Sequence, residues 1–189
     1  MKKTVLAVLA LVVLAGIWLV GGYNSLVSAD LSVDESWAQV QVQYQRRFDL
    51  IPNLVETVRG VADFERSTYE AVTAARSAWA QSLQTGTRAE QIAATGQVDS
   101  ALSRLLVTVE NYPQLRAQEN FSTLQAQIEG TENRVATARR DFNAVARAYN
   151  QKVRSVPSNM IAAIFGFEAE PFFESSEGSD VAPQVQFVQ

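Results

Sequence analysis

The 189-residue chain contains no cysteine and no histidine. Together these absences exclude thiol nucleophiles, disulfides, Cys/His metal sites, imidazole acid/base chemistry and the triads built on it. A lipidated N-terminal cysteine is excluded as well, and the missing thiols fit an oxidising compartment without requiring one. Positive charge is not in excess either: sixteen basic against twenty acidic residues give a net charge of -4 and a pI near 4.9. That balance argues against nucleic acid as a partner. No segment alternates with period two for long enough to suggest a sheet. What is present is 47 % apolar content, sufficient for one core in a chain of this length.

No charge falls between Lys3 and Asp30, and Val5 to Gly22 is almost continuously apolar. As a helix this run spans roughly 27 Å, close to the hydrocarbon thickness of a bilayer. Residues 4–23 are therefore expected to form a transmembrane anchor, with Val5 and Leu11 in the span and Trp18 and Tyr23 near its outer interface. A signal peptide cleaved after Val27-Ser28-Ala29 is the competing reading. The run exceeds the usual h-region of roughly 7 to 15 residues and helix formers follow at once, which favours an uncleaved anchor in contact with lipid. Lys2 and Lys3 precede the span, and no basic residue follows until Arg46. The positive-inside bias then puts residues 1–3 in the cytoplasm and everything after Tyr23 on the far side of the membrane.

Beyond the span, apolar residues recur in alternating steps of three and four. A first stripe holds Val33, Trp37, Val40, Tyr44, Arg47 or Phe48, and Ile51. A second runs from Val58 through Val61 or Ala62, Tyr69, Val72, Ala75 and Trp79 to Leu83, interrupted by Glu65. Residues 84–90, "QTGTRAE", supply a helix end and a Thr87-x-x-Glu90 capping box. A third stripe, Val98, Leu102, Leu105 or Leu106, Val109 and Tyr112, stops near Pro113. The fourth and longest passes through Phe121, Leu124, Ile128, Thr131, Val135, Ala138, Phe142, Val145, Tyr149, Lys152 and Val156. A 3.5-residue repeat kept so long indicates left-handed packing at a shallow angle. The expectation is an all-α chain: an anchor, then an antiparallel four-helix bundle over residues 24–173 and a disordered tail over 174–189.

"RRFDLIPNLVETV", residues 46–58, interrupts the first two stripes. The local signals predict a corner. The first helix ends near Asp49, with Arg46 and Arg47 offsetting the negative end of its dipole. Pro52 then stands just outside a second capping box, Asn53 to Glu56. A kinked continuous helix is the alternative. For Arg47 two readings stand, a snorkelling side chain whose stem packs on the core, or a recognition role. Asn120, Glu129, Glu132, Asn133, Arg139, Arg140 and Asn143 also crowd one helix and can fix the register of a bundle.

"YNSLV", "RRFDLIPNLVETVRG", "AVTAAR" and the long block from Ser100 to Phe167, with "RRDFNAVARAYNQKVRSVPSNMIAAIFGF" at its end, follow one another in order. They resemble the signature blocks of the LemA family over nearly the whole stretch from Gly22 to Phe173. The resemblance implies a bacterial protein with one N-terminal anchor and a mirror-variant up-and-down four-helix bundle outside it. It implies no enzymatic activity and an envelope association; one relative serves magnetosome membranes, and some members occur beside HtpX-like membrane metalloproteases. Phe142 departs from the pattern, where tyrosine is usual.

The remaining chemistry is that of carboxylates, hydroxyls, lysines and arginines. An acid/base carboxylate pair must converge in a cleft, yet Glu110, Glu119, Glu129, Glu132 and Asp141 fall at helix ends or on surfaces, mostly near arginines. No loop has EF-hand spacing. No catalytic, metal or cofactor site and no small-molecule substrate is therefore expected. The functional expectation is a non-enzymatic interaction or scaffold module, bound to envelope proteins or to itself. The alternative is an accessory or adaptor subunit of a membrane metalloprotease.

If the helices go up and down, the fourth returns to the bilayer. Met160, Ile161, Ile164, Phe165 and Phe167, with Phe172 and Phe173, then lie near its surface, packed under the bundle or dipping into the interface. The final "QVQFVQ" alternates like a strand and can add to an exposed sheet edge, or remain a loose end.

Overall fold

The computed structural model describes residues 2–61 and 65–174. Among these residues there are six helices and no strand: α1 (Lys2–Arg59), α2 (Arg66–Thr85), α3 (Arg88–Val109), α4 (Pro113–Arg116), α5 (Glu119–Arg154) and α6 (Ser158–Phe165). The tail from residue 175 on, with its strand-like ending, lies outside the described residues, as do Met1 and Ala62.

The first helix corrects the expected corner. α1 runs unbroken for 58 residues with Pro52 inside it. Proline costs roughly 3 kcal/mol in a helix interior, since it offers no N–H to the carbonyl four residues back. The local penalty loses to packing: Ile51, Leu54, Val55 and Val58 are all buried and extend the face of Val33, Trp37, Val40, Tyr44 and Phe48. Several apolar side chains at about 1.5 to 3 kcal/mol each outweigh one proline. Asn53 and Glu56 accordingly form no cap; the Asn53 carbonyl accepts from Thr57 Oγ1 at 2.8 Å.

The break comes later. The Gly60 N–H donates to the Glu56 carbonyl at 3.2 Å and the Val61 N–H to the Val58 carbonyl at 3.1 Å, closing the last turn. Extended backbone at Glu65 precedes α2. The expected second stripe is thus split: Val58 belongs to α1, while Val72, Ala75 and Trp79 belong to α2. The next boundary agrees with its sequence signal. The Gly86 N–H donates to the Ser82 carbonyl at 2.8 Å. The Thr87 N–H donates to Glu90 Oε2 at 2.6 Å, and Thr87 Oγ1 accepts from the Glu90 N–H at 3.3 Å. α5 also follows its stripe, burying Phe121, Ile128, Thr131, Val135, Ala138, Phe142 and Tyr149. It ends at Arg154, so Val156 is exposed.

Facing pairs give the helix directions. Trp37 meets Phe142 edge-on at 5.3 Å between centroids, and Lys152 Nζ donates to Ser25 Oγ at 3.0 Å, so α5 runs opposite to α1. Phe48 packs on Trp79 at 4.2 Å and Arg59 lies 5.1 Å over Tyr69, so α2 also runs opposite to α1. Trp37 Nε1 donates to Gln91 at 3.0 Å and Tyr44 Oη to Asp99 at 3.1 Å, so α3 runs with α1. One core cluster threads these four long helices. A smaller one joins Leu26 of α1 to Ile161 and Ala162 of α6. Gly22 permits that approach, because a Cβ there would displace the end of the Ile161 side chain.

The N-terminal part of α1 is long and apolar enough to cross a membrane, and the protein covers none of that stretch. Val5, Leu11, Trp18 and Tyr23 are all exposed.

Candidate functional site

Two polar centres lie among the helices. The first forms where the apolar stripe of α1 admits an arginine. Arg47 is only 2 % exposed, guanidinium included, which overturns the snorkelling reading. Its Nη1 donates to Asp99 Oδ1 at 2.6 Å, and its Nη2 pairs with Glu132. Arg139 from α5 closes the cluster by pairing with Asp99 and donating to the Tyr44 hydroxyl, which itself donates to Asp99 Oδ2 at 3.1 Å. Two cations and two carboxylates from three helices thus neutralise one another.

Burial pushes the Asp99 carboxyl up to about 6, against the opposing pull of Arg47. The same burial lowers the guanidiniums of Arg47 and Arg139 from their ordinary value. With a second guanidinium beside it, Asp99 is a carboxylate at neutral pH. Such a cluster aligns three helices, because any axial slip strands a buried charge. All four charges are used in mutual pairing. Among the described residues, no group of three or more carboxylates stands close enough together to hold a metal ion.

The structure does not bring the "RRFDLIPN" residues together. Of the five candidate site residues there, Arg46, Asp49, Pro52 and Asn53 are exposed and Arg47 is buried beside Phe48 and Ile51. Asp49 accepts from Gln45 Nε2 at 2.7 Å within the same helix, and the arginines cap no helix end because α1 continues for twelve residues past Arg47, to Arg59. On α5, Asn120, Glu129, Asn133 and Arg140 are exposed, while Glu132, itself exposed, and the half-buried Arg139 and Asn143 bond to other segments of the chain. Sequence reasoning missed Asp99. Its only signal is its place on α3 beside Val98 and three residues before Leu102, on the flank of the buried stripe.

The second centre holds residues 167–173, an extended strap that follows α6 after Gly166, whose φ is +76°. Two asparagines of α5 bracket its backbone. Asn150 Nδ2 donates to the Glu170 carbonyl at 2.8 Å, while its Oδ1 accepts from the Glu170 N–H at 2.7 Å. Asn143 does the same for Phe173, at 2.8 and 2.9 Å. The Phe173 ring stacks on Trp37 at 5.9 Å, meets Phe142 edge-on at 5.7 Å and lies 4.9 Å from the Arg139 guanidinium. Arg88, at the start of α3, pairs with Glu170 at 2.8 Å and Asp34 at 2.6 Å.

Burial raises the Glu170 carboxyl, Arg88 opposes, and Asp30 and Asp34 add to the rise. The Tyr149 hydroxyl, bonded to Asp30, is pushed up to about 12 by burial and by the carboxylates of Asp30 and Glu170. The segment after α5 is divided. Ile161 is buried and Phe167 half-buried, while Met160, Ile164 and Phe165 are exposed at 62, 69 and 48 %. Phe165 and Phe167 both touch Tyr23, with centroids at 4.7 and 5.8 Å, at the point where the apolar run of α1 ends.

Magnetosome protein MamQ 2 of Paramagnetospirillum magneticum is 28 % identical over 86 % of this chain and 70 % of its own length. Magnetosome protein MamQ of Magnetospirillum gryphiswaldense is 27 % identical with the same coverage. Protein LemA of Metamycoplasma hominis is 23 % identical over 84 % of this chain and 71 % of its own. The LemA family profile matches residues 36–187, which takes in the ion cluster, the strap and α6. The chain belongs to the LemA family.

Proposed function

We propose that this chain is a single-pass protein of the bacterial inner membrane that acts as a non-enzymatic interaction module. In this reading residues 4–23 are the anchor, and α1, α2, α3 and α5 form an up-and-down four-helix bundle on the periplasmic side. The observation that carries it is the continuity of α1. One helix leads from an exposed apolar stretch into the buried stripe from Leu26 to Val58, so the segment that needs lipid is rigidly joined to the one that needs protein. Trp18 and Tyr23 stand at the outer end of the stretch, where amphipathic rings favour the interface. The relatives called magnetosome proteins and LemA support a membrane association.

α6 fits the same picture. Its buried side holds Ile161 against Leu26, at the foot of the bundle, and its other side turns Met160, Ile164 and Phe165 outward beside Tyr23. These residues form an apolar collar at the height of the lipid headgroups. The interaction role rests on what the polar groups do: the buried charges are paired for alignment, and the long outer faces of the helices remain for partners.

Crosslinking in intact membranes, followed by capture of the tagged full chain, tests the role. Recovery of envelope proteins or of further copies of the chain supports it. Recovery of a membrane metalloprotease alone would assign the adaptor role instead, and recovery of nothing with crosslinkers of several lengths would contradict an interaction module.

A further inference from the structure

The strap is held the way a protein holds a peptide. The Asn143 and Asn150 amides pair with backbone N–H and C=O groups, a mode in which main-chain hydrogen bonds give affinity and side-chain pockets give selectivity. The register fits: seven helical residues advance about 10.5 Å, and the three extended residues from 170 to 173 advance about 10 Å. Each bracket adjoins a selective contact, Arg88 for the Glu170 carboxylate and the Trp37, Phe142 and Arg139 surface for the Phe173 ring.

The strap also sits on the core rather than in it. None of its residues is buried, whereas Trp37 and Phe142 beneath it are. Its removal would uncover an aromatic floor between two unpaired amides, a surface that calls for another occupant rather than for water. Gly166, in the left-handed region, joins the strap to α6 and gives a hinge at which it can lift.

We infer that the groove between Asn143 and Asn150 is a recognition site for an extended acidic peptide with Glu-x-x-Phe spacing, filled in cis by residues 167–173 and open to the same spacing on an exposed segment of a partner protein. The inference rests on the interaction-module reading and names the surface through which it works. Arg88 selects the acidic position, since its Nη1 pairs with Glu170 at 2.8 Å even with Asp34 beside it, while the Arg139 guanidinium, already paired with Asp99, lies 4.9 Å from the Phe173 ring.

The test uses the full chain in detergent. Glu170→Ala with Phe173→Ala weakens the strap and leaves the groove intact. This variant is expected to bind a fluorescent peptide of residues 167–174, FEAEPFFE, saturably and roughly tenfold or more tightly than the wild-type chain, whose tethered strap competes. Adding Asn143→Ala and Asn150→Ala should weaken binding roughly tenfold or more. A peptide with alanine at the positions of Glu170 and Phe173 should not bind. A variant that melts cooperatively yet ignores FEAEPFFE overturns the proposal.

If the variant fails to fold, a cleavage site for a sequence-specific protease between Gly166 and Phe167 of the full chain replaces it. After cutting, displacement of the severed tail by excess peptide supports the groove, and a tail that stays bound overturns it. A silent groove alongside partners still crosslinked in membranes removes the groove alone and leaves the interaction module standing on another face.

Discussion

Arg47 and Asp99 meet at 2.6 Å in surroundings where burial disfavours the charged form of each. Asp99→Ala leaves the buried Arg47 and the half-buried Arg139 short of a carboxylate and is expected to cost about 3 kcal/mol in chemical denaturation, whereas Arg46→Ala and Asp49→Ala, both exposed, should stay within about 0.5 kcal/mol. The pH dependence has a definite sign. Burial holds the folded-state Asp99 carboxyl at about 6, above its ordinary 3.8, so the folded chain binds that proton more tightly. This contribution to stability is complete below the unfolded value and is lost as pH rises through about 6. Wild type should therefore lose stability relative to Asp99→Asn between about pH 4 and 6, and the opposite slope would show that the two guanidiniums outweigh burial. At this scale the sequence was only half legible. Arg47 stood out because it occupies an apolar stripe. Glu132 and Arg139 stood out only within a crowd of polar residues on one helix, and Asp99 did not stand out, because nothing local tells an acid that faces Arg47 from a solvated surface acid.

Helix boundaries show which local signals survive packing. The Thr87 to Glu90 box forms as read, since hydroxyl, carboxylate and both N–H groups lie within one turn and need no distant partner. The Asn53 to Glu56 box does not, because Ile51, Leu54, Val55 and Val58 carry the buried face straight through it. Pro52 is then a tolerated defect. Pro52→Ala should stabilise the chain by about 1 to 3 kcal/mol by restoring one helical hydrogen bond, and a loss of stability in urea would mean that the proline sets a bend the packing requires. The collar on α6 makes a separate prediction, and the absence of native cysteine makes it easy to check. A fluorophore on Ile164→Cys should be quenched by bromolipid in liposomes holding the full chain, while one on Val107→Cys, exposed near the end of α3, should not. Equal quenching at both, or at neither, would contradict the collar.

The whole molecule combines an exposed stretch long and apolar enough to cross a membrane with four long helices that share one core. The all-α class was legible from the absence of period-two segments and from stripes that hold their spacing for many turns, above all from Phe121 to Tyr149. The strap groove was not. It depends on residues 170 and 173 coming back against 150 and 143, and neither asparagine announces by its spacing what it will bracket. The central claim is that α1 anchors the protein and carries its helices outside the inner membrane. Spheroplasts expressing the full chain with a C-terminal tag, treated with protease from outside, test it most directly. The account predicts that the tag is destroyed while the chain stays in the membrane fraction. A tag protected until the spheroplasts are lysed, or a soluble mature chain that begins near Asp30, would contradict it.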